Sequence, residues 1–377
     1  MLFYYLIFSA LAFLSFIEIF CKLDKKIKRF LERIVVLSCI IISSLINDEF
    51  GDLINYKHLF NNTSVDVSLI SSISQGALKL SEPLYSTLNY AIKFLGGSFR
   101  TFLIFEACFV NILIYYIAKK IFYSEINSKC SKDFTITIYF IMWCLGLWNI
   151  IIIRQTLAVA LCWYSIRYII KKRKLPFYLC VASATLIHAS EFFWMPAYYI
   201  YNQGIKGKRK RYRLYFLLII LCIIGIILIR PIANVLPGVI GRKVRNYISH
   251  GNDAYGLGYS LSFVLFKTFF NIFITLIVAA YLSRNLRSVR KLGGIIALYT
   301  TGAAIVLCTT FVNTQLSRLA QAYTMISFFI FPYMFKQKTK LYEKEFLFVF
   351  FITYMALRLY ISIHGNAVLS QGYPFFK

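Results

Sequence analysis

"NIIIIRQTLAVALCWYSIRYIIKKRK", residues 149–174, decides the class of fold. An apolar helical pattern runs from Asn149 to Ile170 and stops at a basic run, Lys171 to Lys174. Crossing the ~30 Å hydrocarbon core of a bilayer takes about 20 such residues, so the stretch reads as a membrane span. Arg154 and Gln155 nevertheless sit near its start. A guanidinium at mid-membrane costs roughly 2.5–3.5 kcal/mol on insertion scales, and snorkelling from a helix end relieves part of that. Arg154 is therefore either an interfacial anchor, a partner for backbone carbonyls, or a cation lining a cavity that binds an anion, with Gln155 beside it.

The rest of the chain has the same character. Of its 377 residues 59% are apolar and 18% aromatic, and the mean hydropathy is +0.67. A soluble protein of this length carries far more charged surface. The first apolar block, Leu2–Phe20, has no basic residues before it and no small-residue cleavage site after it, so it reads as a retained helix. The net charge of +27 would suit nucleic acid, but the basic residues lie in short loops between apolar blocks. Membrane topology accounts for them, and no nucleic-acid partner is expected. The nine cysteines form no C-x-x-C pair and mostly fall inside apolar blocks, so neither a disulfide framework nor a zinc site is expected.

Six clusters, Lys22–Arg33, Lys119–Lys132, Lys171–Lys174, Lys206–Arg213, Arg284–Lys291 and Lys336–Lys344, hold 28 of the 42 Lys and Arg. Under the positive-inside rule all six face the cytoplasm, so an even number of crossings separates each consecutive pair. Four intervals satisfy this readily. The fifth, Leu175 to Ile205, is too short for two ordinary spans. It reads as a broken helical hairpin with its break at Ile187-His188-Ala189-Ser190-Glu191; a single crossing, with the Lys206 cluster outside, is the alternative. Broken helices at membrane depth occur where backbone lines a cavity. The expected fold is all-α: one polytopic membrane domain over residues 1–377, with about twelve crossings and both termini outside. Its two large outer loops are 47–98, with an interfacial helix over Glu82–Gly96, and 230–262. His58, His188, His250 and His364, with Arg100, Arg154, Arg318 and Arg358, then all fall on or near the outer side.

The candidate chemistry gathers there. His188 lies at the break beside Ser190 and Glu191, and an imidazole is a suitable base for a hydroxyl proton. Glu191 is the rival base or the partner of His188. Arg318 in "NTQLSRLAQAY" has Gln315 and Gln321 three residues to either side, on one helical face. Arg358 lies deeper in "MALRLYISIH", where its simplest partner is Glu18, Glu106 or Glu191. The loop 230–262 places Arg242, Lys243 and Arg245 outside against the charge trend; they suit lipid headgroups or a pyrophosphate. Asp48, Glu49 and Asp52 are weak as metal ligands, and no metal is expected. No nucleotide-binding motif occurs.

Four stretches in order, "EPLYSTLNYAIKFLGGSFRTFLIFEACFVNILIYYIAKK", "IIIRQTLAVALCWYSIRYIIKKRK", "LIHASEFFWMPAYYI" and "RLAQAYTMISFFIFPYMF", resemble the EpsG-like family of Wzy-type bacterial polysaccharide polymerases. The likeness extends from about Phe50 to Tyr373. The chain departs from the family's usual glycine-threonine-aspartate stretch at "LINDEFGDLINYKH". The resemblance implies a glycosyltransferase of the bacterial cytoplasmic membrane, acting on the outer face without a cofactor. Its substrate would be undecaprenyl-pyrophosphate-linked oligosaccharide, and a flippase and a chain-length regulator would be partners besides the bilayer. On that reading Arg154 and Arg318 hold the departing pyrophosphate, and Gln155, Gln315, Gln321, Arg242, Lys243, Arg245 and Arg358 bind substrate. His188 with Glu191 takes the acceptor's proton. An O-antigen ligase, another polyprenyl-phosphate-dependent glycosyltransferase and a lipid-linked oligosaccharide flippase remain alternatives.

Overall fold

The computed structural model describes residues 2–46, 52–75, 82–126, 133–145, 153–206, 261–285, 290–310, 314–336 and 341–364, with scattered positions between 213 and 235. The described residues form helices joined by short loops, without strands. They divide into two compact units, Met1–Phe192 with Phe335–Lys377, and Phe193–Met334.

The first unit contains α1 (Leu2–Phe20), α2 (Lys25–Ser44), α3 (Asp52–Asn61), α4 (Leu69–Gln75), α5 (Pro83–Phe94), α6 (Phe99–Tyr116), α7 (Thr135–Leu145), α8 (Ile153–Ile170), α9 (Lys174–Ile187) and the last helix (Leu341–His364). A π-helical stretch, Ile117–Ile126, prolongs α6. Helix α5 begins at Pro83, where a missing N–H costs nothing, and stops before Gly96, whose φ of +78° suits a residue without Cβ. Ser98 caps α6 through a reciprocal pair with Thr101. Arg100 Nη1 closes the end of α2, donating to Ser44 O at 2.8 Å and Ile46 O at 2.6 Å.

Polar contacts fix the helix directions within this unit. Lys119, at the end of α6, bonds Glu32 near the start of α2, whereas Arg100 at the start of α6 bonds the end of α2. The two helices are antiparallel. Arg167 of α8 bonds Tyr116 Oη, so the late turns of α6 and α8 lie together and these helices run in the same sense. Glu18, at the end of α1, receives the backbone N–H of Ile136 and Thr137 at the start of α7. Lys344, early in the last helix, reaches Ile19 O. These directions match the alternation expected from the basic clusters: α1, α6 and α8 run one way, and α2, α7 and the last helix the other.

The second unit contains a 3₁₀ turn ending at Trp194, α10 (Ala197–Gly204), α11 (Leu261–Asn285), α12 (Arg290–Thr310), a 3₁₀ segment (Thr314–Ala320), α13 (Gln321–Thr324) and α14 (Ser327–Ile330). Glycines let α10 and α12 approach closely. A Cβ on Gly204 would stand 2.6 Å from Ala297 Cβ, and one on Gly294 would stand 2.6 Å from the Tyr201 ring. Sequence leads one to expect a continuous helix over Arg318–Phe335. Short pieces are found instead, with tight bonds from Phe328 N to Met325 O and from Phe329 N to Ile326 O. Pro332 has no N–H to continue an α-helical ladder there.

Among the described residues, four helices are long and apolar enough to cross a membrane: Leu2–Phe20, Phe99–Tyr123, Lys291–Thr310 and Leu341–His364. Thr135–Leu145, Lys174–Ile187 and Thr268–Leu282 are shorter apolar helices. The described residues are all helical, and the protein is an integral membrane protein.

Candidate functional site

Helix α9 ends at Ile187, and His188 follows in extended conformation (φ −147°, ψ 115°) before the 3₁₀ turn Ala189–Trp194. The chain thus breaks where its polarity concentrates, as the sequence suggests. The break turns the His188 ring toward a residue from a different part of the chain. Glu82, the residue before Pro83, has an N-cap position and makes no side-chain cap bond. Its carboxylate is free to reach sideways. Oε1 lies 3.0 Å from His188 Nδ1 and 3.5 Å from Ala189 N, and Oε2 lies 2.5 Å from Arg154 Nη1.

One carboxylate therefore joins Arg154, in the first turn of α8, to His188, at the end of α9. Glu82 is buried, and both partners are about one-fifth exposed at the side chain. Two aromatic faces complete the pocket around the guanidinium. The Tyr56 ring centroid is 4.9 Å and the Tyr85 centroid 5.6 Å from Arg154 Cζ. Arg154 Nε is buried without a hydrogen-bond partner among the described residues. Tyr85 in turn packs edge-on against Phe102, 5.6 Å away at the start of α6.

Burial alone would push the Glu82 carboxyl up. The His188 hydrogen bond and the Arg154 charge outweigh that and hold it below its ordinary value. Glu82 is thus ionised at neutral pH and can only accept hydrogen bonds, so His188 Nδ1 is the donor. The Nε2 lone pair of a neutral ring is then the one able to take a proton.

The carboxylate that orients His188 is Glu82, not Glu191. The Glu191 oxygens face Ser190 Oγ at 3.0 Å and Cys162 Sγ at 3.5 Å. Gln155 also bonds Glu191 and is fully buried, so it braces the inside of α8 and lines no open surface. Neighbouring residues of α8 thus serve two acids, Arg154 the outer one and Gln155 the inner one. Arg358 is buried in the last helix, close enough to feel Cys144 of α7 electrostatically. Of the acids expected beside it, Glu18 bonds the start of α7 and Glu191 bonds Ser190 and Cys162.

Arg318 and Gln321 belong to the second unit, Arg318 exposed on the 3₁₀ segment and Gln321 opening α13. The structure does not gather them with the Glu82 group in one unit. Arg242, Lys243, Arg245, His250 and Asp48 lie outside the described residues, as do the side chains of Gln315 and Asp52. Glu82 is the residue that sequence reading left out of the site. The available signal was an acid immediately before the proline that opens a helix on the expected outer side.

No curated protein and no solved structure matches the chain. A model described as the EpsG family matches residues 29–376, a span that includes Glu82, Arg154 and His188. The match covers nearly the whole chain, and the protein belongs to the EpsG family of polysaccharide-polymerase-like membrane proteins.

Proposed function

We propose that this protein polymerises lipid-linked oligosaccharide repeat units on the outer face of the bacterial cytoplasmic membrane. The donor is the growing glycan on undecaprenyl pyrophosphate, and the acceptor is a hydroxyl on the next lipid-linked unit. The observation that carries the reading is the Glu82 bridge between a cation and an imidazole at one end of the α6–α8 pair. Glycosyl transfer of this kind needs both: a base for the acceptor hydroxyl and fixed positive charge for the departing pyrophosphate.

In the proposed step the acceptor oxygen attacks the anomeric carbon and its proton passes to His188 Nε2. The bond from that carbon to the pyrophosphate oxygen breaks, and the electron pair leaves with undecaprenyl pyrophosphate. Glu82 fixes the tautomer of His188 and stabilises the imidazolium that forms. Arg154 offers the pyrophosphate those guanidinium N–H groups that are neither paired with Glu82 and Tyr56 nor buried, as its Nε is. Arg318, Gln321, Gln315, Arg358, Arg242, Lys243 and Arg245 are proposed substrate contacts. Gln155 and Glu191 support the site from beneath.

Deleting the gene and resolving surface polysaccharide by size tests this reading. A single repeat unit without a ladder is the expected result. Loss of all glycan from the lipid core would point instead to a ligase or a flippase.

A further inference from the structure

At the other end of α6 the first unit contains a second polar centre. From Phe102, beside the Glu82 group, to Tyr115 the helix rises about 20 Å. There, where α1 ends and α2 begins, a cavity of about 710 Å³ opens at the surface. Three carboxylates, Glu18, Glu32 and Asp133, lie at its base with oxygens within 4.8 Å of one another. They are already matched with cations. Lys28 Nζ is 2.7 Å from Asp133 and 3.4 Å from Glu18, and Lys119 Nζ is 2.6 Å from Glu32 and 2.8 Å from Asp133. Two ammonium groups thus stand where a metal ion would.

What remains is an excess of positive charge. Lys22, Lys25, Arg29 and Lys120 line the same cavity and are exposed, and none makes an ion pair or hydrogen bond among the described residues. Burial pushes the Glu32 carboxyl up, against the pull of Lys119.

We infer that this cavity binds a phosphate-bearing anion, with the group held by Lys22, Lys25, Arg29 and Lys120. Arg29 matches two phosphate oxygens with its planar fork, and the lysines add point charge. A phospholipid headgroup at the membrane surface is one source of such a phosphate. A soluble phosphate has the same chemistry. Binding here is independent of the reaction proposed for the Glu82 group.

The test uses full-length protein purified in detergent, in wild-type form and as Lys22→Gln/Lys25→Gln/Arg29→Gln. These changes leave Lys28, Lys119 and the buried ion pairs intact, and matching melting temperatures would verify folding. A control variant, Lys171→Gln/Lys172→Gln/Arg173→Gln, removes equal charge at a different loop. Native mass spectrometry reads retention of phosphatidylglycerol against phosphatidylcholine, and calorimetry reads binding of inorganic pyrophosphate. Phosphatidylglycerol retention should fall about tenfold or more in the cavity variant and much less in the control. Loss of pyrophosphate binding with lipid retention unchanged would support the site with a soluble ligand. Unchanged binding of both probes, or equal losses in the two variants, would overturn it.

Discussion

His188 Nδ1 lies 3.0 Å from Glu82 Oε1, and the other oxygen of that carboxylate is 2.5 Å from Arg154 Nη1. A single buried acid thus sets the position of both an imidazole and a guanidinium. Removing it strands two groups at once, which makes Glu82 the most informative residue to change.

Glu82→Gln leaves Arg154 without its counter-charge, and breaking a buried pair from one side costs about 3 kcal/mol or more. The pH dependence follows from the direction of the shift. The folded carboxyl is held below its unfolded value, so its contribution is complete above the ordinary carboxylate range. It is lost as pH falls through the folded value. Melting curves should therefore separate wild type from Glu82→Gln fully at pH 7, and the gap should close below about pH 4. A gap that persists unchanged in acid would mean that Glu82 contributes through packing and not through charge.

Arg154→Lys should retain partial ladder formation and Arg154→Ala should abolish it. Lysine keeps the charge but cannot serve Glu82 and a pyrophosphate with one planar fork. Equal ladders from the two variants, at matched membrane levels, would return Arg154 to a purely structural role beneath Tyr56 and Tyr85.

The helix directions in the first unit predict sidedness. Leu95, exposed beside the Gly96 turn after α5, and Lys171, exposed after α8, should lie on opposite faces. In intact cells Leu95→Cys should react with an impermeant thiol reagent, and Lys171→Cys only after permeabilisation, with the native cysteines controlled. Labelling of both from outside would contradict the topology.

In the second unit, Gly294→Ala places a methyl 2.6 Å from the Tyr201 ring. Overpacking of this kind costs about 1–3 kcal/mol, which a lowered melting temperature in detergent would report. Gly225, with no atom of the described residues within 4 Å of an added Cβ, should accept alanine without such loss.

Part of this arrangement is legible in the amino-acid sequence. The end of α8 at Ile170, the limits of α5 and the break at His188 follow from local signals: a basic stop, a proline and glycine pair, and a knot of polar residues. Such signals act over a few residues and survive tertiary packing. The partner of His188 is not legible there. Glu82 is 106 positions away in sequence from His188 and 72 from Arg154, and no periodicity marks a contact at that separation. Proximity in sequence favours Glu191 instead, but the extended backbone at His188 turns the ring away from it. The segment after Arg318 departs from its sequence pattern for another reason. Its hydropathy suits a continuous helix, whereas Pro332 and close packing of Tyr323 on Gly302 break it into short turns.

The proposed chemistry, glycosidic bonds formed between lipid-linked repeat units with His188 as the base and Glu82 holding it, can be measured directly. The experiment is polymerisation by purified protein in proteoliposomes, supplied with a fluorescent undecaprenyl-pyrophosphate repeat unit. Wild type should build a ladder and release undecaprenyl pyrophosphate. His188→Gln should bind the unit with similar affinity but extend it about 100-fold more slowly or worse. A wild-type ladder from His188→Gln, or no extension by the wild-type protein, would contradict that chemistry.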